Sequence, residues 1–260
     1  MTEQPKLSDV TLTMIVRDEL MNPAGGLHAV LSRHLPYFEN VVVLDTGSVD
    51  GTRQLLEHMA GENPQLKVYD AEFKGYDTAR NTAKEYVKTK YTLMLDADEV
   101  FDKPEEATRE VELFSGSHLR FQLVNVYHDG RESKTSPGWN PRLFKPNKVA
   151  FSGSFYEFVH YDRALDLSDL GPTAAVPFLH FLPCHFLKTD WYSQFQDGQG
   201  GENIPTINPS EVPSYPLWKT PNPATLLKYS VDVHAEVREL ERLGLLLHPG
   251  ILEQLAKYSP

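Results

Sequence analysis

Tyr91-Thr92-Leu93-Met94-Leu95-Asp96-Ala97-Asp98-Glu99-Val100-Phe101 is the stretch on which the fold turns. Residues 91–95 form a short apolar run of the kind that makes a buried strand, and it stops abruptly at the carboxylates Asp96, Asp98 and Glu99. Carboxylates crowded at the mouth of a buried strand repel one another, so the arrangement becomes favourable mainly when a hard divalent cation neutralises them. The same letters also suit a surface turn whose acids solvate the chain as it leaves the sheet.

The chain upstream repeats the theme. Residues 10–16 are rich in β-branched side chains and predict a strand ending at Arg17-Asp18-Glu19, followed by helical spacing over 25–38 through Leu27, Val30, Leu31 and Leu35. Val41-Val42-Val43-Leu44 predicts a second strand, which runs into Asp45-Thr46-Gly47-Ser48-Val49-Asp50-Gly51-Thr52. A helix is expected from Thr52, a third strand over 66–69 and a third helix over 77–88. This alternation predicts an α/β fold with a mostly parallel sheet flanked by helices. Ligands of such sheets bind at the carboxyl ends of the strands, where Arg17, Asp45 and Asp96 all fall.

Downstream the character changes. Residues 118–127 alternate and predict one strand, turning near Asp129-Gly130 to pair with the segment beyond the turn, and further short strands are expected over 142–145 and 149–151. This half is expected to be mixed or antiparallel. Residues 198–223 are rich in Gly, Pro, Asn and Ser and suggest a long loop or lid. An amphipathic helix is expected over 223–247, with Leu227, Val231, Val237 and Leu240 on its apolar face, and a last short helix over 251–258. The expected organisation is thus 1–115 and 116–197 as two halves of one domain, then the loop 198–223, then C-terminal helices over 224–260.

Composition narrows the class. The 260 residues are 40% hydrophobic and 23% charged, an ordinary globular balance. A net charge of −11 disfavours non-specific attraction to nucleic acid or anionic membranes, without excluding a local basic patch. The lone Cys184 cannot make an internal disulfide or a zinc cluster. The polar start of the chain lacks the apolar core of a signal peptide, and no run of about 18 apolar residues occurs, so a cytoplasmic protein is expected.

Three motifs in order carry a specific resemblance. Asp45-Thr46-Gly47-Ser48-Val49-Asp50-Gly51-Thr52, then Gly75-Tyr76-Asp77-Thr78-Ala79-Arg80-Asn81, then Asp96-Ala97-Asp98-Glu99 resemble the signature of family 2 glycosyltransferases with the GT-A (Rossmann-like) fold. Threonine at position 46, where many members carry a second aspartate, is closest in style to the lipopolysaccharide-core and peptide S-glycosyltransferase branch. The resemblance covers about residues 10–185. It implies a nucleotide-sugar donor, usually UDP-linked, a Mn²⁺ or Mg²⁺ ion, and inversion at the anomeric carbon. It further implies that Asp45 contacts the uracil or ribose and that Arg80 lies beside the nucleotide. Asp96 of the DXD motif would approach ribose and metal, and Asp98 would ligate the ion, with Glu99 as support for the loop.

Later positions follow from the same resemblance. Asn140-Pro141-Arg142-Leu143-Phe144 and Gly153-Ser154-Phe155-Tyr156-Glu157 resemble a pair of family elements in which a Gly is followed by His-Glu, with Tyr156 where the histidine would be. Glu157 is therefore the candidate general base, with His160 as competitor and a structural salt bridge, for example to Arg142, as the alternative role for Glu157. In the family a histidine can complete the metal shell, and His180-Phe181 best matches that form, with His185 close by; either could equally be a hydrogen-bonded core residue. Trp139, Trp191, Tyr192 and Trp218 could stack on a sugar or anchor loops. Two other functions remain compatible with the residues. One is a catalytically silent sugar-nucleotide or glycan-binding module. The other is a sugar-phosphate nucleotidyltransferase, disfavoured because Arg17-Asp18-Glu19 is not the Gly-rich basic loop that chemistry uses. The acceptor, whether saccharide, peptide, small molecule or modified DNA base, is not legible.

Overall fold

β1 (Leu7–Val16) carries the first apolar run, and β2 (Phe38–Asp45) lies parallel to it with Val41, Val42, Val43 and Leu44 all buried, as a strand covered on both faces requires. β3 (Leu66–Asp70) pairs in parallel with the outer side of β2, and β4 (Tyr91–Met94) with the other side of β1. The crossovers are α1 (Leu27–His34), α2 (Thr52–Glu62) and α3 (Tyr76–Glu85). The computed structural model describes residues 6–21, 26–48, 50–126, 132–134, 141–153, 158–161, 171–181, 227, 232–245, 252 and 256. Within them the expected alternation is present, and the parallel order β3-β2-β1-β4 brings four carboxyl strand ends to one edge.

The remaining elements are β5 (Glu99–Phe101), α4 (Pro104–Leu113), β6 (His118–Leu119), β7 (Leu123–Val126), β8 (Glu132–Lys134), β9 (Leu143–Phe144), β10 (Val149–Ser152), β11 (Phe158–Tyr161), β12 (Phe178–Phe181) and α5 (Val233–Arg242). β9 adds antiparallel to β4, and β6 antiparallel to β9, which completes a six-stranded sheet. A second sheet has the order β5-β12-β7-β8, with β12 antiparallel to β5 and parallel to β7. β10 and β11 form an antiparallel pair. The later half is mixed, as expected.

Two expectations are corrected. The single strand over 118–127 is two strands in different sheets, because the chain leaves the first sheet after Leu119 and Phe121 turns into an aromatic cluster, its ring stacked on Phe178 at 4.5 Å. Pairing of its second part with β8 does occur. The helix expected over 223–247 is interrupted: Asp232 is extended, and its carboxylate accepts from the N–H of Ala235 to cap α5, which begins only at Val233. Leu227 is 55% exposed and not on a buried face. The loop over 198–223 lies outside the described residues, and of the last expected helix Leu252 and Ala256 are described and helical.

Candidate active site

At the end of β4 the chain reverses at once into β5. The N–H of Glu99 donates to the carbonyl of Asp96 at 3.1 Å, while the N–H of Asp96 donates to Glu99 Oε2 at 3.0 Å. The acidic stretch is thus a tight turn that ends one sheet and starts the other. Arg80, from the middle of α3, donates to Asp96 Oδ1 at 2.8 Å. Arg142, just ahead of the antiparallel strand β9, reaches Asp96 Oδ2 at 3.3 Å and Glu99 Oε1 at 2.5 Å. From the second sheet, β12 places His180 Nε2 at 3.3 Å from Asp98 Oδ2. The other ring nitrogen, Nδ1, lies 3.0 Å from Oδ1 of Asn125, its register partner on β7.

The crowded carboxylates are therefore compensated by the protein itself, with two arginines and a histidine. Their crowding thus has partners within the protein, beside any ion that the turn takes. Burial disfavours the charge on Asp96, but Arg80 and Arg142 outweigh it and hold its carboxyl well below the usual range. Burial raises Glu99 to about 7 against the pull of Arg142. Burial likewise opposes charge on His180, yet Asp98, with Glu99 and Asp96 beyond, lifts it to about 9.

Asp45 closes β2 and is only 2% exposed. Its Oδ1 accepts the N–H groups of Gly47 and Ser48 at 2.9 and 2.8 Å, while its Oδ2 is buried with no hydrogen-bond partner. Beside it the segment after β1 is clasped to the same loop. The N–H groups of Asp18, Glu19 and Leu20 donate respectively to Ser48 Oγ, Thr52 Oγ1 and Asp50 Oδ2. Asp18 holds a φ of 52°, a left-handed backbone rare outside glycine, and Arg17 Nε lies 3.6 Å from its carboxylate. Burial, with Asp18 nearby, raises Asp50 to about 6.

Whether a divalent ion fits is decided by the donor set. Among the described residues no group of three His, Cys, Asp or Glu side chains forms a metal cage. Asp98 Oδ2 and His180 Nε2, however, have the spacing of neighbouring ligands on one octahedral ion, about 3 Å for bonds of about 2.1 Å. With Nδ1–H donated to Asn125, Nε2 is the ring nitrogen that faces Asp98, and it would have to give up its proton to take an ion there. Two protein ligands suit an ion whose remaining positions are filled by phosphate oxygens and water. Both oxygens of Asp96 already accept from arginines, so a share in the ion would require the longer Arg142 contact to yield.

The structure thus brings Arg80, Asp96, Asp98 and His180 together, and sets Arg17 and Asp45 on neighbouring strand ends. Glu157, Tyr156, His185, Trp139, Trp191, Tyr192 and Trp218 lie outside the described residues. His160 falls in β11, opposite Ala150. Asn125 is not among the expected site residues, and Arg142 is expected only within the family-like stretch 140–144 and as a partner for Glu157, not as a partner of the acidic turn. A charge directly before apolar Leu143-Phe144 is a faint signal for Arg142, but only the antiparallel addition of β9 sets it at the carboxyl end of β4.

A mixed α/β architecture with acids and arginines gathered at the carboxyl ends of β1, β2 and β4 defines a protein of the GT-A class. The chain belongs to glycosyl transferase family 2, whose model it matches over residues 24–160. No curated protein sequence matches it. Among solved structures it is similar to S. aureus TarS 1–349 in complex with UDP-GlcNAc, at 17% identity over 55% of this chain and 48% of that one, with a TM-score of 0.44. It is also similar to the mannosyltransferase PcManGT from Pyrobaculum calidifontis in complex with GDP-Man and Mn²⁺, at 15% identity over 96% and 79% of the two chains, with a TM-score of 0.47. A third is GalNAc-T7 with UDP, GalNAc and Mn²⁺, at 9% identity over 72% and 49%, with a TM-score of 0.44. The chain spans about half the length of the TarS fragment. Among the described residues no helix is long and apolar enough to cross a membrane.

Proposed function

We propose that this chain transfers a sugar, with inversion, from a nucleotide donor of the UDP-sugar type to a hydroxyl acceptor, using Mn²⁺ or Mg²⁺. The observation that carries the reading is Asp45 Oδ2, a buried carboxylate oxygen without a partner, at a strand end where ligands of such sheets bind. A buried charged acceptor left unsatisfied costs free energy that a ligand N–H, such as that of a uracil ring, would recover. Arg17 and Arg80 are suited to the ribose and phosphate side of the donor, with Arg80 already oriented by Asp96.

Asp98 and His180 would hold the ion, which when bound supplies positive charge to the diphosphate leaving group. The acceptor oxygen bonds to the anomeric carbon as the bond from that carbon to the diphosphate breaks. The electron pair departs with the nucleoside diphosphate, and the acceptor proton passes to Glu157 as general base. Arg142 and Glu99 keep the acidic turn in shape by pairing with each other and with Asp96.

Calorimetric titration with UDP and with GDP, each with and without Mn²⁺, tests the reading. UDP is expected to bind more tightly with Mn²⁺. Asp45→Ala is expected to weaken UDP about 10- to 100-fold, the worth of a hydrogen bond to a charged acceptor. Asp98→Ala should remove the Mn²⁺-dependent gain alone. Failure of either nucleotide to bind the unaltered chain would overturn the reading, and binding without slow hydrolysis of any UDP-sugar would favour a silent binding module.

A further inference from the structure

We propose that α5 is a clamp on the nucleotide loop, acting through Leu245 on Gly51 so that docking of the helix sets the affinity of residues 45–52 for the nucleoside. This rests on the reading of Asp45 and its loop as the nucleoside site.

α5 lies beyond the stretch matched by the family model, yet it is part of the main core. Val233, Val237 and Leu240 are buried and belong to that core. Its end is shaped to deliver one side chain. The N–H of Gly244 donates to the carbonyl of Glu241 and the N–H of Leu245 to that of Leu240, with Gly244 at a φ of 73°. These are the two bonds of a Schellman motif, which folds the residue after the glycine back onto the helix's own apolar side.

Leu245 meets the loop there. A β-carbon at Gly51 would lie 3.2 Å from Leu245 Cδ2 and 2.9 Å from Leu20 Cδ1, so Gly51 is held between the two leucines. Its φ of 100° favours glycine on backbone grounds as well. From Gly51 the connection to the site is short and made of hydrogen bonds. Asp50 Oδ1 accepts from the N–H and hydroxyl of Thr52 at 2.9 and 2.6 Å, and its Oδ2 accepts from Leu20 N–H. Thr52 and Ser48 take the N–H groups of Glu19 and Asp18, and Ser48 N–H donates to Asp45. A displacement of Leu245 therefore reaches Asp45 through Gly51, Asp50, Leu20 and Ser48. Near the start of α5, Glu236 Oε2 lies 2.5 Å from His28 Nδ1, which fastens the helix to α1.

The test uses the full chain with Leu245→Ala and, separately, Glu236→Gln, the second altering only the fastening. Amide hydrogen exchange of residues 45–52 is expected to rise about tenfold or more in both variants, with exchange in β1 to β4 unchanged. UDP affinity with Mn²⁺ is expected to fall about five- to tenfold. Faster exchange confined to 233–245, with the loop at its original rate, would overturn the clamp. If the unaltered chain binds no nucleotide, the nucleoside reading fails, and the exchange measurement still decides whether helix and loop are coupled.

Discussion

Asn125 sits beside His180 because β7 and β12 are parallel neighbours in register, and its amide oxygen at 3.0 Å accepts from Nδ1 and so leaves Nε2 facing Asp98. A histidine held in this way meets an ion with its ring orientation already fixed. Asn125→Leu is therefore expected to weaken Mn²⁺ binding in the presence of UDP about 10- to 100-fold, as read by the free Mn²⁺ signal in electron paramagnetic resonance. Asn125→Asp, which restores an acceptor to Nδ1, is expected to recover most of the loss, and equal binding by all three chains would refute the positioning role. At this scale the sequence was partly legible. Asp45, Asp96 and Asp98 declare themselves as acids directly after apolar runs, a local pattern. Asn125 does not, because one polar residue between Val124 and Val126 is what any half-buried strand contains, and its meaning comes from a partner that β12 brings from far along the chain.

At the scale of elements, the parallel strands and their crossover helices follow from nearest-neighbour patterning and were legible. The helix α4 is not among the expected elements, although Pro104 at its first position, Glu105 and Glu106 in its first turn, and Ala107 and Val111 on one face are sufficient signals. Alternation over 118–127 and amphipathic spacing over 223–247 run on through 120–122 and through the extended Asp232, so neither pattern marks where the regular element breaks. The fastening of α5 to α1 yields a pH dependence. The hydrogen bond to Glu236 raises the pKa of His28 above 6.5, against the effect of burial, with Glu239 and Glu62 adding to it. The groups around the ring are Glu236 and Glu239 of α5, His58 and Glu62 of α2, and Lys6 ahead of β1. A raised histidine pKa contributes stability that is complete below the ordinary value and is lost as the pH rises through the raised one. The midpoint of thermal unfolding is accordingly expected to decline from pH 6.5 upward more steeply in the unaltered chain than in His28→Gln. The gap between the two should close once His28 is neutral; parallel profiles would rule the pair out as a contributor.

For the whole molecule, the chain passes from the first sheet to the second at the turn over 96–99 and again over 120–122, and the two crossings pack together. The turn over 96–99 ends β4 and opens β5, so the acidic cluster belongs to both sheets. Behind it Phe101 of β5, Phe121 from the crossing between sheets and Phe178 of β12 form a cluster, with Phe101 and Phe178 centroids 4.7 Å apart. His34 at the end of α1 completes it: Nδ1 donates to the carbonyl of Val30, Nε2 accepts the N–H of Phe101, and burial drives its pKa down to about 4, so it serves as a neutral polar link. None of these contacts was legible, since each couples residues from separate elements and aromatic spacing along the chain does not specify which rings meet. Phe178 is fully buried and touches both other rings, so truncation removes packing on either side of the seam. Phe178→Ala is expected to cost about 3–5 kcal/mol in chemical denaturation. Because β12 also carries His180, the same change should lower Mn²⁺-dependent UDP binding at temperatures where the fold is intact. A loss of stability with metal-dependent binding wholly preserved would mean that the acidic turn holds its shape through Arg80 and Arg142 alone, independently of the seam between the sheets.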